Sequence, residues 1–336
     1  MSKQTLPPFI QALQQSEIYD HEVDGIELIQ THISFVVLAG DFVYKFKKPV
    51  DFGFLDFSSL DKRRYCCEQE LVLNRRLCPD IYLGLVTVTW ERDTFALDGP
   101  GEVVEYGVKM KRMPEERMMG NLIRTGELNE REMDRIVEVL VPFYDKAERS
   151  EVIDTFGRTD AVAVNVLENF DQTEGFIGGG ALTREQFETI STYARSILGR
   201  EELFQARIDA GRIRDCHGDL YSANICLADK VYIYDCIEFN QRFRYCDVAS
   251  DVAFLAMDLD FHSLEGLSDY FISRFQEASG DKGVTDMLRF YKCYRAYVRG
   301  KIGLFTASDP AVDEEVKKAS LAAAAAYFEL ATRYAS

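Results

Sequence analysis

Three polar side chains in one stretch of the chain have the types and spacing needed for phosphoryl transfer. Asp219 and Asn224 stand five residues apart in CHGDLYSANI, and Asp235 ends the apolar run VYIYD. That reaction needs a carboxylate to accept the proton of a substrate hydroxyl, and oxygen ligands to hold magnesium against the phosphates. We therefore predict that Asp219 is the catalytic base and that Asn224 and Asp235 bind Mg²⁺.

These residues belong to a longer pattern that resembles a known family. The loop reads HGDLYSAN, and DVASDVAFL follows the metal Asp at 247–255. The pattern resembles the aminoglycoside phosphotransferase and choline kinase group, which are relatives of protein kinases. Three further segments are similar to an uncharacterised bacterial branch of that superfamily: YKFKKPV at 44–50, FLDFS at 54–58 and CIEF at 236–239. The resemblance implies a phosphotransferase with ATP as cofactor and an alcohol group as acceptor.

The resemblance also assigns a lysine to the phosphates of the nucleotide. Lys45, near the end of the third predicted strand, matches the lysine that contacts the α- and β-phosphates. Lys47 points to the same face, because side chains alternate along a strand, and it remains the alternative. The lysine needs an acidic partner, and Glu70 borders the inward side of a predicted helix at 60–77. We predict that Lys45 pairs with Glu70.

Two further parts of the nucleotide site are predicted from the same resemblance. A polar turn between the first two strands takes the place of a GxGxxG motif, and Ser34 in that turn could donate to a phosphate. An ordinary hairpin turn is the alternative. The connection EYGVKMKRMPEE at 105–116 would pass the adenine, so we expect backbone groups from Met110 to Arg112 to bind it. The choice between ATP and GTP remains open.

Acidic residues after the loop are expected to support it. Asp247 and Asp251 resemble the second acidic pair of the superfamily, in which the first Asp ties the catalytic loop together. We therefore expect Asp247 to have this role. Glu238 could be a further ligand of the metal or substrate, but we interpret it as a solvated residue of a turn.

One arginine falls inside the apolar stripe of a predicted helix at 284–302. Arg295 follows Tyr291 by four residues and precedes Val298 by three. An isolated buried charge is very costly, so we predict that Arg295 is largely buried and bonded to a carboxylate from residues 235–260. Binding an anionic group of the substrate is one alternative, and extension of the side chain to water is another.

The first third of the chain has the pattern of a small sheet with one helix. Residues 26–48 are rich in β-branched and aromatic side chains between turn signals, which predicts three antiparallel strands. Two more strands are predicted near 83–90 and 103–111, and the helix at 60–77 lies between the two groups. Five antiparallel strands and one helix make a compact α+β unit.

The remainder of the chain has a helical pattern. After Met113-Pro114, helices are predicted at 130–149 and 183–209 and over most of 247–334. We therefore predict an α+β, two-lobed protein kinase-like fold. Residues 1–112 would form the nucleotide-binding lobe, and residues 113–336 would form a helical lobe with the catalytic loop and the substrate site.

The composition narrows the class of protein. The chain has 336 residues, 47% of them hydrophobic, and a formal net charge of −17 at pH 7. Such an acidic surface repels nucleic acid and anionic lipid, so neither is expected as a partner. No apolar run could span a bilayer and no signal pattern opens the chain, which predicts a cytoplasmic protein. The eight cysteines include no CxxC pair and are interpreted as reduced thiols. The oligomeric state remains open.

The substrate pocket is expected in the helical lobe beside the catalytic base. The candidates for its wall are Phe239, Arg242, Arg244, Asp258 and Asp260. A fold does not determine a substrate, so the acceptor is predicted only as the hydroxyl of a small molecule. Two other classes of function remain open: a nucleotide-binding regulator without transfer activity, and a kinase that acts on protein side chains.

Overall fold

The computed structural model describes residues 6–310 and 312–336. The chain divides into two compact units. The first runs to Met118 and includes the later segment Ala228–Gln241, and the second contains Met119–Leu227 and Arg242–Ser336. The sequence had suggested one boundary after residue 112. No local pattern indicated that Ala228–Gln241 belongs to the first unit.

Strands and helices follow the expected order along the chain. The strands are β1 Ile26–Gln30, β2 Ser34–Ala39, β3 Phe42–Lys47, β4 Tyr82–Glu91, β5 Thr94–Leu97, β6 Glu102–Lys111, β7 Ile213–Asp215, β8 Ile225–Leu227, β9 Val231–Ile233 and β10 Tyr245–Asp247. The α-helices are α1 Pro8–Ala12, α2 Leu60–Asn74, α3 Met119–Thr125, α4 Glu130–Lys146, α5 Glu151–Asp154, α6 Thr159–Thr173, α7 Arg184–Leu198, α8 Glu201–Asp209, α9 Gln241–Arg244, α10 Val248–Phe261, α11 Glu265–Ser279, α12 Val284–Ser308 and α13 Glu314–Ala335.

The first unit is built on one antiparallel sheet with the strand order β1-β2-β3-β6-β4-β5. The predicted α+β class is confirmed, but within the described residues this sheet has six strands and not five. The additional strand β5 follows a two-residue turn at Arg92 and Asp93, both of which have positive φ angles of 49° and 63°. Such turns usually carry Asn-Gly or Asp-Gly, so Arg92-Asp93 is not a recognisable hairpin signal.

Helix α2 packs on β4 and β6 and brings its inward side to the strand that carries the two lysines. Ser59 caps the helix, since its hydroxyl accepts a hydrogen bond from the Lys62 N–H at 3.3 Å. Ser58 and Ser59 are both of a residue type that favours this position, and the structure shows Ser59 as the cap. The helix ends at Asn74, three residues before the predicted end.

The second unit is mostly helical and is centred on α10. Every residue from Val248 to Asp260 is buried, because α10 packs against both α11 and α12. Helix α12 also runs along α13. A Cβ at Gly300 would lie 2.8 Å from the Phe328 ring, so this close approach requires glycine. No helix of the described residues is long and apolar enough to cross a membrane.

Candidate functional site

Two lysines of β3 meet one glutamate of α2 in the first unit. Lys45 Nζ lies 2.9 Å from Glu70 Oε1, and Lys47 Nζ donates to Glu70 Oε2 at 2.8 Å. Both lysines reach the same residue because alternate side chains of a strand share a face. The predicted pair of Lys45 and Glu70 is therefore present, and Lys47 shares its carboxylate.

The segment Ala228–Gln241 adds two more carboxylates to these lysines. Asp235 Oδ1 accepts a hydrogen bond from Lys45 Nζ at 2.5 Å, and Glu238 Oε1 accepts one from Lys47 Nζ. The Glu238 side chain is 5% exposed, so its interpretation as a solvated residue is wrong. A buried lysine 191 positions away supplies its partner, and no local pattern reports such a contact.

We call these five side chains the lysine cluster: Lys45, Lys47, Glu70, Asp235 and Glu238. The inner part is closed to solvent, since the side chains of Lys47 and Glu70 are each 1% exposed. The outer part is accessible, with Lys45 at 15% and Asp235 at 42%. The two lysines therefore differ in exposure, and Lys45 is the one that is open to solvent.

Ion pairing keeps the cluster charged despite its burial. Burial alone lowers the pKa of Lys45, but Asp235 and Glu70 outweigh it and hold that pKa well above the ordinary value. Burial likewise raises the pKa of Glu70, but the two lysines lower it to about 2. For Glu238 burial prevails over Lys47 and its pKa is raised. Lys45 and Glu70 are therefore both ionised at neutral pH.

Asp235 is held in a backbone conformation that few non-glycine residues adopt. Its φ is +62°, its N–H donates to the Tyr82 hydroxyl at 3.2 Å, and the next N–H, of Cys236, donates to Asn74 Oδ1 at 2.9 Å. Such conformations persist where surrounding contacts fix them, and they cluster at functional sites. The second carboxylate oxygen of Asp235 accepts no hydrogen bond from the described residues.

Ser34 occupies a different position from the one the sequence suggested. It begins β2 opposite Lys47 and is buried, with its N–H donating to Thr31 Oγ1 at 2.9 Å. Its hydroxyl has no hydrogen-bond partner among the residues described. Buried polar groups are normally paired, so this hydroxyl has unused capacity for a ligand or water.

Most of the N–H groups expected to meet the adenine are used inside the sheet. Met110 is paired with Val43 of β3 and also aligned with β4. The N–H of Lys111 donates to the Ile81 carbonyl at 2.9 Å, and the N–H of Arg112 donates to the Asp41 carbonyl at 2.8 Å. The prediction for Met110 and Arg112 is therefore not supported for their N–H groups.

The next residue has the free backbone groups that the sequence missed. Within the described part of the chain, Met113 makes no hydrogen bond through its N–H or carbonyl. It lies two residues after the end of β6 and precedes Pro114, which has no N–H to donate. The signal that could have identified it is the change from strand to proline at this point.

In the second unit, the loop after β7 carries Asp219 and Asn224. Asn224 Nδ2 donates to the carbonyl and to Oδ2 of Asp219, both at 2.9 Å. Asn224 is buried and Asp219 is partly exposed. The Asn224 Oδ1 atom accepts no hydrogen bond from the described residues. The amide thus orients the predicted base and leaves an oxygen for another ligand.

Asp251 of α10 fixes the start of this loop. Its two carboxylate oxygens accept hydrogen bonds from the N–H groups of His217 at 2.8 Å and Gly218 at 2.9 Å. The Tyr144 hydroxyl donates to the same carboxylate at 3.0 Å. Gly218 has a φ of +87°, which a side chain rarely tolerates, and this explains glycine at the position where protein kinases have the arginine of HRD.

The expectation that Asp247 ties the loop is wrong. Asp247 caps α10, where its Oδ1 accepts from the Ala249 N–H at 2.8 Å, and it forms a buried ion pair with Arg207 at 2.8 Å. The two carboxylates are one helical turn apart, so sequence spacing alone could not tell which one faces the loop.

The burial predicted for Arg295 is confirmed, but the predicted carboxylate partner is wrong. Its Nη1 donates to the Gly218 carbonyl at 3.0 Å and its Nε to the Ser250 carbonyl at 3.3 Å. Its guanidinium also lies 4.8 Å from the centre of the Phe254 ring. Backbone carbonyls accept hydrogen bonds whatever the residue type, so the sequence pattern could not reveal them. Arg295 thus joins α10 and α12 to the loop.

Each of the five candidates for the pocket wall makes contacts within its own unit. The two arginines are paired, Arg244 with Asp215 at 2.5 Å and Arg242 with Glu168 at 2.6 Å. Phe239 belongs to the first unit, where its ring packs near those of Phe54 and Phe57.

The two acidic candidates are also engaged. Asp258 Oδ2 accepts a hydrogen bond from the Ser222 N–H of the loop at 3.0 Å. Asp260 accepts from Lys292 Nζ at 2.8 Å and from the Tyr334 hydroxyl. These carboxylates stabilise the second unit, so an acidic wall for a cationic substrate has no support from them.

Asp235 of the first unit and Asn224 of the second each have an oxygen of a type that suits a hard cation such as Mg²⁺. Carboxylate and amide oxygens are the ligands it prefers, and it keeps several waters. Asp235 and Asn224 each retain one such oxygen without a hydrogen bond from the described residues. No group of three or more His, Cys, Asp or Glu side chains in residues 6–310 and 312–336 has the arrangement of a metal site.

Comparison with known proteins begins with the sequence. No family model matches the chain. Uncharacterised proteins of Mycobacterium tuberculosis and Mycobacterium bovis are 36% identical to it over 282 residues. The match covers 82% of this chain and 54% of each relative, so the chain spans about half the length of the curated relatives it matches.

Comparison with solved structures identifies the fold as that of the protein kinase-like phosphotransferases, and it confirms the resemblance at this level. One similar structure is an amicoumacin kinase in complex with AMP-PNP, Ca²⁺ and its antibiotic, with a TM-score of 0.52, 12% identity, and coverage of 97% of this chain and 92% of that one. Another is a spectinomycin phosphotransferase in complex with ADP and spectinomycin, with a TM-score of 0.50, 11% identity, and coverage of 98% and 100%.

Proposed function

We propose that the protein is an ATP- and Mg²⁺-dependent phosphotransferase that phosphorylates a hydroxyl group of a small molecule, with Asp219 as catalytic base. The observation that carries this proposal is the fixation of the Asp219 loop. Asp251 holds two of its N–H groups and Asn224 holds Asp219 itself, yet Asp219 stays partly exposed. Catalysis by positioning requires a reactive side chain that is both fixed and accessible.

In this proposal the first unit binds the nucleotide. Lys45 contacts the α- and β-phosphates, because it is the accessible lysine and Glu70 already orients it. The free backbone groups of Met113 bind the adenine, and the unpaired Ser34 hydroxyl is available to the phosphates. Nucleotides bound to the two phosphotransferases of similar fold, AMP-PNP and ADP, support this assignment.

The charge of the lysine cluster favours a divalent cation beside the nucleotide. Two lysines face three carboxylates, and the carboxylate with the greatest exposure is Asp235. An excess negative charge on an accessible oxygen attracts a cation. We therefore assign Asp235 and Asn224 as the protein ligands of Mg²⁺, which would neutralise charge on the phosphates during transfer.

The second unit would supply the acceptor chemistry. Asp219 accepts the proton of the acceptor hydroxyl. The hydroxyl oxygen of the acceptor forms a bond to the γ-phosphorus, and the bond between that phosphorus and the bridging oxygen of ADP breaks. The products are a phosphate monoester, ADP and a proton. Asn224 keeps the Asp219 carboxylate in position through the bond to Oδ2. Positioning and electrostatic stabilisation carry most of such a reaction.

Turnover of ATP with a library of small hydroxyl compounds tests this function. We expect ADP release that depends on Mg²⁺ and on one class of acceptor, followed by detection of the phosphorylated product. A protein that binds Mg-ATP but releases no ADP with any acceptor would instead fit a nucleotide-binding regulator. Phosphate found on serine, threonine or tyrosine of added proteins, and on no small molecule, would favour a protein kinase.

A further inference from the structure

Arg299 of α12 is a charged side chain without a carboxylate partner. It is mostly buried, and its Nε atom has no hydrogen-bond partner among the described residues. The other buried cations of this unit are paired differently: Arg207, Arg244 and Lys292 with carboxylates, and Arg295 with carbonyls. A half-buried guanidinium that lacks both kinds of partner is unusual, because removing a charge from water is costly without compensation.

Aromatic rings hold the guanidinium of Arg299 in one orientation. It lies 4.7 Å from the centre of the Tyr221 ring and 5.7 Å from that of Tyr327. Tyr221 is itself stacked on Phe254 at 5.3 Å, and Tyr327 on Phe261 at 3.8 Å. We call this arrangement the arginine stack.

The Tyr327 hydroxyl interacts with part of the guanidinium edge, but the Nε atom is left for hydrogen bonding with a ligand. Rings that contact a guanidinium use its faces by cation–π and stacking interactions. The N–H groups point outward in the plane, in a fork that matches carboxylate and phosphate oxygens. The orphaned Nε belongs to this edge. A side chain held this way is prepared for a planar or tetrahedral oxyanion.

The position of the arginine stack connects it to the acceptor. Tyr221 belongs to the loop of Asp219 and follows that residue by two positions. Burial lowers the pKa of the Arg299 guanidinium, but Tyr221, Tyr327 and Asp219 raise it above its ordinary value. Arg299 therefore interacts electrostatically with Asp219. The carboxylates that could have received an amine, Asp258 and Asp260, are already bonded within the unit.

We propose that Arg299 binds an anionic group of the acceptor, so that the substrate is a hydroxyl compound with a carboxylate or phosphate group and not an amine such as an aminoglycoside. This inference rests on the proposed function for the identity of the reaction. The binding of an anion by Arg299 depends only on the contacts of the arginine stack.

Calorimetric binding without nucleotide tests the anion site directly. The probes are glycerate and gluconate as carboxylates, glycerol 3-phosphate as a phosphate, glycerol and glucose as neutral compounds, and ethanolamine and kanamycin as amines. We expect at least one anionic probe to bind, and its neutral analogue to bind more weakly. Comparison of the carboxylate probes with the phosphate probe shows which of the two anionic groups the site prefers.

Three variants locate the effect. Arg299→Gln should weaken binding of the anionic probe by about 10- to 100-fold, the usual effect of losing hydrogen bonds to a charged group. Arg299→Lys should recover part of this affinity, since it keeps the charge and loses the fork. Lys301→Gln is the matched control. It removes one charge from the same helix, where Lys301 Nζ donates to Gln172 Oε1 at 2.8 Å, and it should leave binding unchanged.

The inference is overturned if only amines or neutral compounds bind, if no anionic probe binds at millimolar concentration, or if Arg299→Gln leaves anion affinity unchanged. It also falls if the substitution weakens Mg-ATP binding instead, because the arginine would then serve the nucleotide. If Arg299→Gln does not fold, Arg299→Lys carries the test. A protein that binds the anion through Arg299 but transfers no phosphoryl group would contradict the proposed function and leave this inference intact.

Discussion

The lysine cluster of the first unit and the arginine stack of the second both hold buried cations, but they balance charge in different ways. Each lysine of the cluster contacts two carboxylates of its own chain. The guanidinium of Arg299 contacts aromatic rings and no carboxylate of the described residues. In the first arrangement both cations are paired within the chain, and one carboxylate is in excess. The second is completed by an anion from outside.

The difference teaches how a ligand class can be inferred from charges that a protein leaves unbalanced. A balanced buried charge has a structural explanation and gives little information about ligands. Arg295 lies between these two cases, since it is as buried as the lysines of the cluster but is bonded to backbone carbonyls and not to carboxylates. In the lysine cluster Asp235, and in the arginine stack Arg299, retain capacity that the described residues do not use. They indicate a cation at one position and an anion at the other.

The largest effect on stability is expected when the charge of Glu70 is removed from the lysine cluster. Glu70→Gln keeps the shape of the side chain but removes the charge that both lysines share. The free energy of unfolding should fall by about 3–5 kcal/mol, the usual cost of breaking a buried ion pair. Chemical denaturation measures this change. The control is Glu68→Gln on the same helix, where the pair with Arg64 is exposed and the stability should be unchanged.

The stability difference between wild type and Glu70→Gln should depend on pH. The pKa of Glu70 is lowered from 4.5 to about 2 in the folded protein. A carboxyl group with a lowered pKa stabilises the fold above its unfolded pKa, and this contribution is lost as pH falls through the folded value. The stability difference between wild type and Glu70→Gln should therefore shrink below pH 4.5. A difference that stays constant from about pH 6 to about pH 3 would contradict this assignment.

A smaller effect is expected for the exposed carboxylate of the cluster. Asp235→Ala should weaken Mg-ATP binding by about 10- to 100-fold, because the metal loses its one charged protein ligand. Binding of ATP measured in EDTA should change little, since Lys45 keeps Glu70 as its partner. Isothermal titration separates the two. Asp229→Ala removes an exposed charge nearby as a control, and an unchanged Mg²⁺ dependence in Asp235→Ala would remove Asp235 from the metal site.

The smallest effects on stability are expected for the two arginines of α12, and they should differ between Arg295 and Arg299. Arg295→Lys should lower the free energy of unfolding by about 1–3 kcal/mol, since lysine cannot reach both carbonyls in the same geometry. Arg299→Lys should change it by less than about 1 kcal/mol, because a lysine keeps much of the cation–π contact. Equal losses of stability in the two variants would mean that the arginine stack is as structural as Arg295.

The general fold could be predicted because periodicity and turn chemistry act locally. The strand-rich beginning, the helix after Ser59 and the helical remainder each have a signal within a few residues. Strand β5 could not be predicted, since its turn uses Arg92 and Asp93 in a conformation typical of other residues. The placement of Ala228–Gln241 in the first unit depends on contacts such as that of Cys236 with Asn74, which are distant in sequence.

The site shows the same division between local and distant information. The pair of Lys45 and Glu70 could be predicted from the family resemblance, which indicated Lys45, together with the helix pattern, which indicated Glu70. The burial of Glu238 could not, because its partner Lys47 lies far away in the chain. The resemblance indicated two acidic positions, the cap of α10 and a residue of its first turn, but only the fold shows that Asp251 faces the loop and Asp247 faces Arg207.

Phosphoryl transfer by the Asp219→Asn variant tests the central claim most directly. The measurement is single-turnover transfer from γ-labelled ATP to the acceptor found in the library, beside titration of Mg-ATP. We predict that transfer falls by about 10²–10⁴-fold while Mg-ATP affinity stays within about twofold of wild type, because the base is lost and the metal ligands remain. Near-normal transfer by this variant would contradict the account.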